Sequence, residues 1–98
     1  MKYEIIRAEE FSEWLEKQTI KSQVQINNRI SLIRLEGYFG STNILKDGVF
    51  ELKWKNGRRV YYAYLEEFNV LLLLGGNKNG QDYDIKQAKK ILKKYTGN

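Results

Sequence analysis

The dipeptide Asn56-Gly57 sits between two strand-like runs, a strong signal for a tight hairpin, and the runs on either side restrict the fold more than any other feature. Two registers fit, one residue apart. A two-residue loop sets Lys55 opposite Arg58 and Trp54 opposite Arg59. A three-residue loop with Gly57 as a bulge sets Trp54 opposite Arg58 and Lys53 opposite Arg59. A one-residue slip exchanges the faces of a strand, so the apolar residues decide. Phe50, Leu52 and Trp54 share one face of the first strand, and Val60, Tyr62 and Tyr64 share one face of the second. Only the bulged register puts all six on one side. The opposite face then carries Glu51, Lys53, Lys55, Arg59 and Tyr61, with the cations Lys53 and Arg59 facing each other. Like charges so placed repel by roughly 0.2–1 kcal/mol, and a phosphate between them would relieve the repulsion. The competing reading is that Glu51 neutralises one cation and the face is merely solvated.

Around this hairpin the remaining elements follow from periodicity. Lys2–Arg7 alternates around Tyr3, Ile5 and Ile6 and reads as a strand. Phe11, Trp14 and Leu15 give a helix over about Glu9–Gln18 an apolar stripe, and Glu9 and Glu10 suit its positive end. A second helix over about Ser22–Glu36 carries Ile26, Ile30 and Ile33 on one face, with Leu32 and Leu35 beside it and Gly37 as its stop. Tyr38–Gly48 reads as a loop. Three strands, Val49–Lys55, Arg58–Leu65 and Asn69–Gly75, form an antiparallel meander. A last helix spans about Gln81–Tyr95, with Ile85, Ala88, Leu92 and Tyr95 on one face. Residues 1–98 are thus expected to form one α+β domain with element order β-α-α-β-β-β-α and an antiparallel-type sheet.

Composition narrows the chemistry. The 98 residues contain no cysteine and no histidine. Disulfides and catalytic triads built on His or Cys are excluded, and a structural zinc site is disfavoured. No metal or cofactor is expected. Acid–base work would fall to Lys, Arg, Tyr, Asp or Glu. The opening residues read as no secretory signal, and no apolar run approaches a membrane span, so a cytoplasmic protein is expected. Net charge is +5, and it is unevenly distributed. Residues 1–49 hold seven basic and seven acidic side chains, and residues 50–98 hold ten and five. The excess in the second half points to an anionic partner there, nucleic acid first. The pair Gly75-Gly76 belongs to no phosphate-binding glycine motif and reads as a sharp turn between strand and helix. Gln81 and Asp84, at the start of the last helix, read equally as capping residues.

Several segments in order resemble one family: Phe11-x-x-Trp14-Leu15, Arg29-Ile30, Gly48-Val49-x-Glu51-Leu52-Lys53, Arg59-Val60-Tyr61-Tyr62, Leu72-Leu73-Leu74-Gly75-Gly76-x-Lys78-x-x-Gln81 and Asp84-Ile85-x-x-Ala88. They resemble the RelE/ParE toxin superfamily, in particular its HigB-like addiction module killer branch. The resemblance implies a RelE-like fold and the toxin of a type II toxin–antitoxin pair. Most such members cut mRNA in the ribosomal decoding site, and ParE-like members inhibit DNA gyrase by binding alone. It also implies a cognate helix-turn-helix antitoxin, with operator DNA reached through the complex. Basic catalytic roles carry over to Arg59 and Lys78, and more weakly to Lys53 and Tyr61. Lys55, Arg58 and Gln81 become candidate RNA contacts. Departures from the family pattern are the short Asn56-Gly57 turn, Arg58 where an aromatic residue is frequent, and Asn77 where Asp is frequent. The roles so expected are phosphate stabilisation by Arg59, a base at Lys53, a second cation at Lys78, and base stacking or proton transfer at Tyr61.

Overall fold

The computed structural model describes residues 1–97. Strand β1 (Glu4–Arg7) leads into helices α1 (Glu9–Glu16) and α2 (Ile20–Glu36). Strands β2 (Thr42–Ile44), β3 (Phe50–Lys53), β4 (Arg58–Glu66) and β5 (Asn69–Asn77) follow, then a short 3-10 turn at Lys78–Gly80 and helix α3 (Gln81–Thr96). The α+β class and the element order expected from sequence hold, with one strand added. β2 occupies part of the stretch read as a loop and pairs antiparallel with β3, Asn43 opposite Glu51. Its three residues are all exposed, so they lack the buried alternation that marks a strand, and only the neighbouring ladder defines them.

The sheet order is β1-β5-β4-β3-β2. The β3–β4 and β4–β5 pairs are antiparallel, as the short connections dictate. β1 instead runs parallel to β5, Ile5 opposite Val70. The two helices between β1 and the meander carry the chain back to the starting end, and that crossover permits a parallel neighbour.

The hairpin takes the bulged register. Lys53 stands opposite Arg59 and Leu52 opposite Val60. The Trp54 amide donates to the Arg58 carbonyl at 3.0 Å, and the Gly57 amide donates to the Trp54 carbonyl at 3.1 Å. Gly57 has φ of 95°, which a side chain would strain. One face of the sheet therefore gathers Leu52, Val60, Tyr62, Val70 and Leu72 against Phe11 and Leu15 of α1 and Ile26, Ile30 and Ile33 of α2, with Phe50 and Trp54 alongside. Tyr64, at the end of this face, is only partly covered and meets Phe50 edge-on at 5.1 Å between centroids.

The second face has its own core. Tyr61, Ala63, Leu71 and Leu73 pack with Ala88 and Ile91 of α3. The sheet is thus sandwiched, with α1 and α2 on one side and α3 on the other. Ile91, rather than Tyr95, completes the buried side of α3. Helix α2 is closed at both ends, whereas no side chain caps the start of α3, where Gln81 and Asp84 read as capping residues. The Thr19 hydroxyl caps α2 by accepting from the Ser22 amide at 3.1 Å, so the helix begins two residues before the position expected. Gly37 closes it in the left-handed region at φ 69°.

Gly75 and Gly76 are not a turn. Both lie inside β5, opposite Val60 and Arg59. A Cβ on Gly75 would fall 2.3 Å from the Trp14 ring, and one on Gly76 would fall 2.1 Å from an Asp84 carboxylate oxygen. The glycines are required because helices on opposite faces approach the strand at successive residues.

Candidate functional site

The β3–β4 hairpin and the start of α3 bring the expected residues towards one end of the sheet. Arg59 lies on the α3 face, its side chain only 12% exposed. One terminal nitrogen donates to the Arg58 carbonyl at 3.1 Å and to the Trp54 carbonyl at 3.5 Å, so the hairpin backbone holds the guanidinium. Its Nε lies 3.7 Å from Glu51 Oε2, too far for a hydrogen bond but close enough for strong attraction. Nη2 has no protein hydrogen-bond partner among the described residues and is the group available to an anion.

Glu51 is 1% exposed, a buried carboxylate that must be well satisfied. Asn43 donates to Oε1 at 3.1 Å and Gln81 donates to Oε2 at 2.5 Å. The network ties β2, β3, β4 and the first residue of α3 together beneath Arg59. Gln81, expected as an RNA contact, donates its amide to Glu51. The neutralising role considered for Glu51 is realised towards Arg59, and Lys53 takes no part in an ion pair among the described residues. Lys53 is half-buried beside Arg59 on the ladder, and Lys55 is exposed at the turn.

Lys78 reaches the same end of the sheet. Its amide donates to the Gly57 carbonyl at 2.8 Å. Its methylenes lie 3.4 Å from where a Gly57 Cβ would stand, so the side chain runs over the turn. The ammonium group projects from an exposed residue.

Two expected site residues are more enclosed than strand alternation suggested. Tyr61 is fully buried under α3, and its hydroxyl has no hydrogen-bond partner. Burial, reinforced by Glu51 and Asp84, pushes the phenol well above its ordinary pKa. Neither base stacking nor proton exchange with a substrate is open to it. Strand alternation gave its face correctly but could not show that α3 covers that part of the face. Arg58 points the other way, into the α2 side. It is buried, lies 5.5 Å from the Trp54 ring centroid, and donates to Ser22 at 3.0 Å and Gln25 at 3.3 Å. It fastens the hairpin to α2, and its open side forms part of a cleft of about 280 Å³ lined also by Trp14, Gln18, Asn56 and Asn77.

Tyr61→Phe follows as a first prediction. Removing an unpartnered buried hydroxyl should leave activity intact and stability unchanged or higher by up to about 1 kcal/mol. Thermal melting and a growth assay on the variant check this, and loss of activity in a stable protein would restore Tyr61 to the site.

Sequence reading missed the weight of Arg29. Its guanidinium donates to the carbonyls of Phe39, Ser41 and Lys53 and lies 4.3 Å from the Trp54 ring centroid. Arg29 therefore fixes the backbone of the strand that carries Lys53. A basic residue on the inner side of α2 was the available signal.

Comparison with known proteins agrees with this architecture. Residues 13–96 match the family model described as phage derived protein Gp49-like (DUF891). An uncharacterised protein of Haemophilus influenzae is 42% identical over 83 residues, covering 81% of this chain and 82% of that protein. Among solved structures, a double arginine mutant of the E. coli toxin RelE in the free state superposes with a TM-score of 0.68 at 17% identity, over 93% of this chain and 99% of that one. The intact E. coli RelBE toxin–antitoxin complex gives 0.65 at 14% identity, over 76% and 95%. The YoeB dimer of Staphylococcus aureus gives 0.55 at 15%, over 74% and 92%. The chain has the RelE-type fold and belongs to the phage-derived Gp49-like family (DUF891).

Proposed function

We propose that this protein is the toxin of a type II toxin–antitoxin pair and that it cuts mRNA on the ribosome without a metal ion. The observation that carries the reading is the pair of cations at the hairpin end. Arg59 is held by backbone carbonyls over a buried carboxylate with one nitrogen free, and Lys78 lies over the adjacent turn. An arginine so fixed is preorganised for a phosphate and loses little entropy on binding one.

The reaction these residues suit is attack of a ribose 2′-OH on the adjacent phosphorus. The new bond joins the 2′-oxygen to phosphorus, and the bond to the 5′-oxygen breaks. The products are a 2′,3′-cyclic phosphate and a free 5′-OH. Lys53 is assigned to remove the 2′ proton, and the departing 5′-oxygen takes its proton from solvent water. Arg59 and Lys78 stabilise the charge that builds on the phosphoryl oxygens. An ordinary lysine is a weak base at neutral pH, so a large share of the rate must come from alignment of the RNA. The ribosome is the natural source of that alignment.

A cognate antitoxin is part of the proposal, supported by the match to structures solved as toxin–antitoxin complexes. The helix-turn-helix character of the antitoxin and operator binding through the complex are carried from the family resemblance.

Brief expression of the chain alone should stop growth through translation, and ribosome-bound mRNA should acquire cuts within codons that end in 2′,3′-cyclic phosphates. Intact mRNA with accumulating gyrase–DNA breaks would replace this reading with gyrase inhibition by binding.

A further inference from the structure

Helix α2 is apolar on two opposite sides, and only one of them is used. At about 100° per residue, Ile26, Ile30 and Ile33 fall together and face the core. Ile20, Val24, Leu32 and Leu35 fall on an arc centred roughly opposite, and they are 75%, 53%, 45% and 48% exposed. Scattered exposed apolar residues are ordinary, but these fall as two pairs near the two ends of one helix face about 24 Å long at the helical rise, with the exposed Asn28 between them. α1 and α3 carry no such second stripe: their outward positions are mainly Glu and Lys.

We propose that this outer face of α2 is a homodimer surface, on which the α2 helix of a second copy packs antiparallel. The charges that border the stripe specify the occupant. Lys21 and Glu36 lie on the same flank, near opposite ends of the helix, and neither makes an ion pair among the described residues. A two-fold axis near Asn28, perpendicular to the helix, keeps that flank on the same side in both copies. It sets Val24 opposite Leu32 of the second copy, Ile20 opposite its Leu35, and Lys21 opposite its Glu36. Each apolar residue then meets an apolar one, and Lys21 and Glu36 meet each other twice over. The exposed Asn28 amides face each other at the centre, where they can bond reciprocally. The antiparallel arrangement also opposes the helix dipoles. The charge balance of the first half, seven against seven, leaves the chain's excess of +5 in the second half, outside α2. It also gives a strongly acidic partner no special advantage there. The stripe lies away from the sheet face that holds Arg59, so both sites of a dimer stay open.

A single helix pair covers less than the roughly 1,200–2,000 Å² of a standard stable interface. The dimer should therefore be in dynamic equilibrium with monomer in the micromolar range. Sedimentation equilibrium of the purified chain, carrying Lys78→Ala so that host cells tolerate it, reads this directly. Lys78 lies over the Gly57 turn rather than on α2. A concentration-dependent monomer–dimer transition is expected. Val24→Glu should raise the dissociation constant at least about tenfold, since it sets a charge into a desolvated contact. Leu32→Gln serves as a second disruption if Val24→Glu does not fold, with circular dichroism as the check. Lys21→Glu and Glu36→Lys should each weaken association about threefold or more, and the double exchange should restore it. A monomer at every concentration overturns the proposal. So does a dimer indifferent to Val24→Glu and Leu32→Gln, or one whose charge variants show no mutual rescue. A monomer whose Val24→Glu variant loses a co-expressed antitoxin assigns the stripe to that partner instead.

Discussion

Arg59→Ala is expected to lower RNA cleavage by about 10²–10³-fold, the usual cost of removing one preorganised donor from a charged transition state, and to abolish growth arrest. The side chain is nearly buried, but the hairpin carbonyls of Trp54 and Arg58 orient it and leave one nitrogen for a phosphate. Stability must be separated from chemistry, because Glu51 would lose its cation. Asn43 and Gln81 still donate to that carboxylate, so the loss should fall below the roughly 3–5 kcal/mol of a wholly stranded buried charge. Arg59→Ala combined with Glu51→Gln removes the stranded charge. The double variant should melt nearer the wild type and remain inactive. Arg59→Lys keeps the charge and loses the planar fork, and should recover only part of the rate. Full toxicity in a folded Arg59→Ala protein at matched expression would move the site elsewhere.

Gly75→Ala is expected to destabilise the fold by about 3 kcal/mol or more, at the upper end for overpacking a filled site. For a chain of this size that is a fall in melting temperature of roughly 12–24 °C. The added methyl would stand 2.3–2.4 Å from three atoms of the Trp14 ring, which packs against the core cluster beneath α1. Gly76→Ala makes an equally close approach, but to the carboxylate end of Asp84. A flexible side chain can swing aside more easily than a bulky indole ring packed against the core. The second substitution should therefore cost much less than the first. Trp14→Leu in the Gly75→Ala background should recover part of the loss. Equal melting temperatures for the two glycine variants would show that crowding by Trp14 is not what excludes a side chain at position 75.

The hairpin was legible because two independent constraints met in it. Asn56-Gly57 fixed the turn, and the parity of six apolar residues chose between two registers, so the facing of Lys53 and Arg59 followed before any coordinates. The helices were legible from their stripes, to within a few residues at the ends. What stayed hidden depends on contacts between elements distant in sequence. β2 has no pattern of its own. The parallel pairing of β1 with β5 depends on where a crossover returns. Tyr61 and Arg58 show the same limit at the site: alternation assigns each a face, but burial depends on whether α3 or α2 covers that point. The glycine pair is the plainest instance. A sequence shows that a side chain is missing, and only the fold shows which ring and which carboxylate fill the space.

Arg29 has a consequence for the far rim of the sheet. β2 is a three-residue outer strand with an exposed row of side chains, and it covers the edge of β3. An uncovered β3 would present unpaired amides and carbonyls, a template for joining chains edge to edge. The residues leading into β2 are held by Arg29, which grips the Phe39 and Ser41 carbonyls while its third acceptor, the Lys53 carbonyl, lies at the end of β3 itself. One planar guanidinium on a helix thereby holds the protective strand against the strand it protects. Position 29 holds the rim of the sheet from the middle of α2, and lysine, with a single ammonium and no fork, could not span the same three oxygens.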